Sequence, residues 1–211
     1  MSSSSLISLT ADLVRIDSVN PDLVPDGAGE EEIARFVAGW LEGAGLEVET
    51  EEVAPGRFNV VGIARGSGEG RSLLLNAHLD TVGVAGMDAP FEPRTEDGRL
   101  YGRGAYDMKA SLAAIMLAGA QAVDAGLRGD VIVTAVCDEE VGSIGSEESG
   151  VRPVRDADHL RVARVPTHEG DDLLVLFHLE GLAEEGDASS SLEVRQELAH
   201  LFLDFRRALP G

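Results

Sequence analysis

A continuous apolar run, Leu73-Leu74-Leu75, stops abruptly in the polar step His78-Leu79-Asp80. A short run without polar alternation suits a strand buried on both faces, and such strands belong to sheets covered by helices. A second run, Val131 to Cys137, is the most strongly β-biased in the chain and ends equally abruptly in Asp138-Glu139-Glu140. Two buried strands with polar, metal-ligating side chains just beyond them point to an open α/β sheet. Such sheets collect their chemistry outside the carboxyl ends of strands.

The surrounding periodicity agrees. Leu6, Leu9, Leu13 and Ile16 recur at helical spacing behind serines that can cap a helix, and Asn20-Pro21 with Pro25-Asp26-Gly27 imposes a loop. Ile33, Phe36, Val37, Trp40, Leu41 and Ala44 form one face of a second helix, with Glu30 to Glu32 favouring its first turn. Leu46 to Glu49 alternates as a half-exposed strand, and Phe58 to Ala64 reads as the next. Asp97-Gly98 divides Phe91 to Tyr101 into a hairpin, whose far arm leads through Gly102-Arg103-Gly104 to Asp107 and a long apolar helix from Met108 to about Ala125. The prediction is a three-layer α/β/α domain over residues 1–149 with a central mixed, mostly parallel sheet.

Residues 150–211 differ in character: they contain no lysine, and they hold His159, His168, His178 and His200. Leu173 to Phe177 predicts a strand. Ser190 to Leu209 predicts an amphipathic helix with a Ser190/Glu193 capping box, packing on the same domain.

Charge and cysteine content bound the function. With 17 basic and 38 acidic side chains the formal net charge is −21, and no basic cluster exists to neutralise phosphates, so nucleic acid and anionic membrane surfaces are not expected partners. Cys137 is the only cysteine, which rules out an intrachain disulfide and suits a reducing cytoplasm. The amino terminus lacks the basic segment of a signal peptide, and no run is long enough to span a membrane.

His-x-Asp at a strand end places an imidazole and a carboxylate on one face, where the acid can orient the ring for a metal. Adjacent glutamates at another strand end diverge, so one can bind metal while the other faces substrate. These three segments, His78-Leu79-Asp80-Thr81-Val82, Gly102-Arg103-Gly104-x-x-Asp107-Met108-Lys109-Ala110 and Asp138-Glu139-Glu140-x-Gly142-Ser143-x-Gly145-Ser146, resemble the signature motifs of the co-catalytic di-zinc amidohydrolases and metallopeptidases. That group includes acetylornithine deacetylase, succinyl-diaminopimelate desuccinylase, aminoacylase and related carboxypeptidases. The resemblance covers about residues 6–149, and the spacings match in kind (107 − 78 = 29; 140 − 107 = 33).

The resemblance implies a role for each residue. His78 would bind one metal with its ring oriented by Asp80, Asp107 would bridge two metals, and Glu140 would bind the second. Glu139 would be the general base. The metal would be zinc, with cobalt or manganese able to replace it. The implied reaction is hydrolysis of an amide bond in an N-acyl amino acid or small peptide through a metal-activated water. Similar proteins also have a cis Asp107-Met108 peptide bond.

Beyond residue 149 the resemblance fails. An acidic ligand would precede a Pro-Thr step where this chain has Val165-Pro166-Thr167, with His168 and Glu169 as the nearest substitutes. No counterpart of the lid and dimerisation domain, or of a final histidine ligand, is expected before Gly211. Each ion would keep two of its three protein ligands, and the usual lid-mediated homodimer is not expected. The alternative reading is therefore a truncated, catalytically impaired metal-binding or partner-binding remnant.

Overall fold

A computed structural model describes residues 3–68, 70–148, 161–166 and 172–177. Its elements in order are α1 (Ser3–Val14), α2 (Glu31–Gly43), β1 (Glu47–Ala54), β2 (Arg57–Ala64), β3 (Leu73–His78), β4 (Arg94–Glu96), β5 (Arg99–Tyr101), α3 (Ala110–Val123), β6 (Val131–Val136), α4 (Ile144–Glu148), β7 (Arg161–Pro166) and β8 (Asp172–Phe177).

One mixed sheet has the order β1-β2-β6-β3-β8-β7. β3 lies parallel to β6 on one side and to β8 on the other, while β1/β2, β2/β6 and β7/β8 are antiparallel. Thus β1, β6, β3 and β8 run one way and β2 and β7 the other. The two apolar runs occupy the centre: Leu73 and Leu75 on β3, and Val131, Val133 and Ala135 on β6, join one hydrophobic core. β1 forms an edge, and its glutamates leave it mostly exposed, as befits a strand that must not pair with another chain.

α1, α2 and α3 pack together over one face of the sheet. α2 buries Ile33, Val37 and Leu41 of the predicted face together with Ala34 and Ala38, while Phe36, Trp40 and Ala44 are only partly buried; it ends with Leu46 N–H donating to Leu41 O at 3.1 Å. On β2 the side chains alternate. Val60 and Ala64 enter the core, while Asn59 points the opposite way, donating to Gly145 O (2.9 Å) and accepting from Cys137 N–H (3.0 Å). Asp97 and Gly98 turn the β4–β5 hairpin with φ of 50° and 78°, the positive values a two-residue connection requires.

Asp172–Phe177 forms a strand that pairs with β3, placing the predicted 173–177 strand in the central sheet. The expected Ser190–Leu209 helix falls outside the described residues. So do Thr167, His168, Glu169 and the histidines at 159, 178 and 200.

Candidate metal centre

β3 and β6 run parallel with His78 opposite Val136, so both chains leave the sheet at the same level. Leu79 N–H extends the ladder by one bond, to Val136 O at 2.8 Å. His78-Leu79-Asp80 and Asp138-Glu139-Glu140 therefore emerge side by side. Parallel pairing of two central strands is what brings residues sixty positions apart into one site.

The third segment arrives from the β4–β5 side. Gly104 takes φ 72°, and a Cβ there would lie 2.7 Å from Thr81 Cγ2, so only glycine allows this turn to lie against the end of β3. Lys109 N–H closes the turn onto Gly104 O (2.9 Å), and the Asp107–Met108 peptide bond is cis. Lys109, the only lysine in the chain, is 1% exposed; its Nζ donates to Ile16 O at 2.7 Å and ties the turn to the end of α1. Burial lowers its ammonium to about 8, opposed by Asp17 and assisted by Arg103.

His78 Nε2 stands 3.0 Å from Asp107 Oδ1 and 3.8 Å from Glu139 Oε2. His78, Asp107 and Glu140 each offer one ligand atom, and all three atoms lie within 4.8 Å of one another. The ring is buried while the Asp107 side chain is 52% exposed, so the cluster opens to solvent on its carboxylate side. Burial alone would lower the His78 imidazolium, but hydrogen bonds to Asp107 and Asp80 and the charges of Asp80 and Glu139 outweigh it and raise it to about 10. Glu140 is pushed above the ordinary carboxylate range, first by burial and then by repulsion from Asp107, Asp80 and Glu139, against a lowering influence from His78. A half-buried glutamate held above its ordinary range by three neighbouring acids marks an environment suited to a cation. An imidazole with carboxylates is a donor set suited to zinc, cobalt or manganese.

The structure enlarges the part expected of Asp80. The nearest partner of His78 Nδ1 is the Asp80 main-chain oxygen at 2.9 Å, with the carboxylate Oδ1 at 3.5 Å. That carboxylate makes shorter bonds elsewhere: Oδ1 accepts Glu139 N–H (3.0 Å), and Oδ2 accepts Glu140 N–H (3.1 Å) and Asn20 Nδ2 (2.7 Å). Hydrogen bonding and the charge of His78 hold Asp80 below the ordinary range, although burial opposes this. Asp80 thus suspends both glutamates from the end of β3.

Behind this cluster lies a buried ionic layer that sequence reasoning missed. Arg57 forks onto Glu30 (Nε–Oε2 2.6 Å, Nη2–Oε1 2.7 Å) and also reaches Asp138 Oδ1 (3.0 Å) and Asp22 Oδ2 (2.7 Å). Asp138 has a left-handed backbone (φ 63°), and its Oδ2 accepts Gly142 N–H at 3.1 Å, which folds the turn after the double glutamate. In sequence, Glu30 resembled an ordinary first-turn acid and Asn20 a turn former. Partners this far apart in the chain leave no local signature.

Residues 74–191, more than half of the chain, match the family described as "Peptidase family M20/M25/M40". The chain is 34% identical over 160 residues to succinyl-diaminopimelate desuccinylase of Ralstonia nicotianae, covering 70% of this chain and 37% of that protein. It is 36% identical over 132 residues to N-formyl-4-amino-5-aminomethyl-2-methylpyrimidine deformylase of Bacillus subtilis, covering 59% and 31%. The chain therefore spans about a third of the length of these curated relatives. Among solved structures, a tripeptidase from Staphylococcus aureus superposes with a TM-score of 0.54 at 26% identity, covering 70% of this chain and 40% of that one. Human carnosine dipeptidase 1 gives 0.56 at 21% identity, covering 69% and 34%, a likeness of fold.

Proposed function

Since the chain belongs to peptidase family M20/M25/M40, we propose that it is a metal-dependent hydrolase that cleaves an amide bond of an N-acyl amino acid or small peptide. The observation that carries this reading is the convergence of His78, Asp107 and Glu140 within 4.8 Å, with Glu139 beside them. In this reading those three side chains hold the ion. A bound metal of this class supplies Lewis acidity, polarising a carbonyl and acidifying water.

The chain's own groups do the rest. Glu139 takes a proton at its carboxylate from the water that adds to the amide carbon, and passes it to the amine nitrogen as the C–N bond breaks. Asp80 holds the Glu139 and Glu140 backbones and, with its main-chain oxygen, the His78 ring. Tyr106 and Val141, adjacent in sequence to Asp107 and Glu140, are 62% and 51% exposed and offer apolar surface for the acyl or side-chain portion of a substrate. Residues 1–149 would form the catalytic core, with 150–211 a segment of the same domain; the pairing of β8 with β3 in one sheet supports their belonging together. A cytoplasmic setting accords with the free, buried Cys137, and no helix among the described residues is long and apolar enough to cross a membrane.

A second reading is favoured by one observation: the donors among the described residues form a single cluster of three. Here the chain retains an ion, but turnover requires a second chain to complete the site. Elemental analysis after zinc loading and desalting, together with assays on N-acetylornithine, N-succinyl-diaminopimelate and short peptides, separates the two. Retained zinc with turnover, both abolished in Asp107→Ala, is the expected result. Retained zinc without turnover selects the second reading, and a chain that keeps no zinc overturns both.

A further inference from the structure

Asn20 lies outside all three motif segments, yet it is fully buried at the centre of the hydrogen bonding behind the metal cluster. Its backbone is fixed first. Asn20 N–H donates to Thr81 O at 2.9 Å, and its own carbonyl accepts from Leu23 and Val24 N–H at 3.2 and 3.1 Å. Its side-chain oxygen accepts Asp22 N–H at 2.9 Å. The amide nitrogen then points its two hydrogens at two different carboxylates, Asp80 Oδ2 at 2.7 Å and Asp138 Oδ1 at 3.0 Å.

The orientation of this amide has one solution. Ionised carboxylates only accept and a backbone N–H only donates, so reversing the amide would break all three bonds at once. The two acids it joins are those that fix the double glutamate. Asp80 holds the Glu139 and Glu140 N–H groups, and Asp138 closes the following turn through Gly142 N–H. The planar amide therefore sets the separation of two like charges and neutralises part of their repulsion.

We propose that Asn20 is a positioning residue for this site: by bridging Asp80 and Asp138 it sets the placement of Glu139 and Glu140 relative to His78 and Asp107. The inference rests on the metal-hydrolase reading for its functional meaning but not for its geometry. Sites of this kind require their side chains to be held to within about half an ångström by supporting hydrogen bonds.

The test has a metal-independent arm and a metal-dependent arm. Asn20→Ser retains one donor on a shorter side chain and is the milder variant; Asn20→Ala removes both donors. Hydrogen exchange on the metal-free chains should show selective loss of protection at the Glu139 and Glu140 amides, with the Leu79 amide of the β3–β6 ladder still protected. Zinc affinity, read by chelator competition, should fall about 10- to 100-fold, the usual effect of losing an outer-layer partner. The Co2+ absorption spectrum should change with it. Val37→Ala, a core change in α2 remote from the site, should leave affinity and spectrum as they were. Exchange at Glu139 and Glu140 that is unchanged in Asn20→Ala with the Leu79 amide still protected overturns the proposal, as does unchanged zinc affinity in that variant when the parent binds zinc; Asn20→Ser should fall between Asn20→Ala and the parent. If the parent binds no zinc while the exchange effect appears, the metal reading fails and the positioning role stands.

Discussion

Arg57→Ala should destabilise the chain by about 3–5 kcal/mol, measured as a lower urea midpoint at unchanged slope. Arg57 is the counter-ion of a buried layer: its side chain is 7% exposed, and its partners Glu30 and Asp138 are 0% and 4% exposed. Burial alone would lower the guanidinium, but the hydrogen bonds and charge of Glu30, with Asp22 and Asp138, hold it well above its ordinary value. Truncation leaves two carboxylates without a cation in a place water does not reach, and that desolvation is the main source of the penalty. Domains of this size are stable by about 5–15 kcal/mol, so the loss is a large fraction of the whole. Arg57→Lys should recover only part of it, because an ammonium cannot reproduce the fork onto both Glu30 oxygens. A change below about 0.5 kcal/mol in Arg57→Ala, the range of an ordinary surface substitution, would mean that the layer is not a unit of stability.

Glu139→Gln should reduce turnover by about 10²–10⁴-fold and leave zinc stoichiometry as it was. Glutamine keeps the shape of the side chain and its place beside His78, and the backbone N–H that bonds Asp80 is untouched. What it loses is the ability to take up a proton. The separation of effects is the informative part, since Glu139 stands beside the converging trio and the trio itself is intact in this variant. Loss of zinc together with turnover would make Glu139 a ligand; undiminished turnover would remove it from the chemistry. Both are read from steady-state rates and elemental analysis on one preparation.

The parts of this molecule that could be read in advance are those written locally. Leu73–Leu75 and Val131–Val136 were legible as central strands because a strand buried on both faces shows no alternation. Asp97-Gly98 was legible as a hairpin turn because few pairs tolerate two positive φ values. The three ligand-bearing segments stood out because each borders an apolar element: two follow the central strands, and the third precedes the long apolar helix. The supporting layer did not stand out. Arg57 and Glu30 are 27 residues apart and Asn20 and Asp138 are 118 apart, and each residue has an ordinary local role that conceals the other. The division of work at Asp80 was hidden for a related reason. A His-x-Asp step suggests a carboxylate on the ring, but the ring is closest to the main-chain oxygen, and the carboxylate is occupied by amides of the turn beyond β6, a strand whose adjacency only the sheet order reveals.

The burial of Lys109 has a practical consequence. Since it is the only lysine and is 1% exposed, the folded chain presents no side-chain amine to solvent. Acylating dyes, amine cross-linkers and amine-coupled supports therefore find no lysine to react with on these 211 residues while they stay folded. Modification at Lys109 then becomes a chemical reporter for a single event, the parting of the 104–109 turn from the end of α1, which is also the event that would carry Asp107 away from His78.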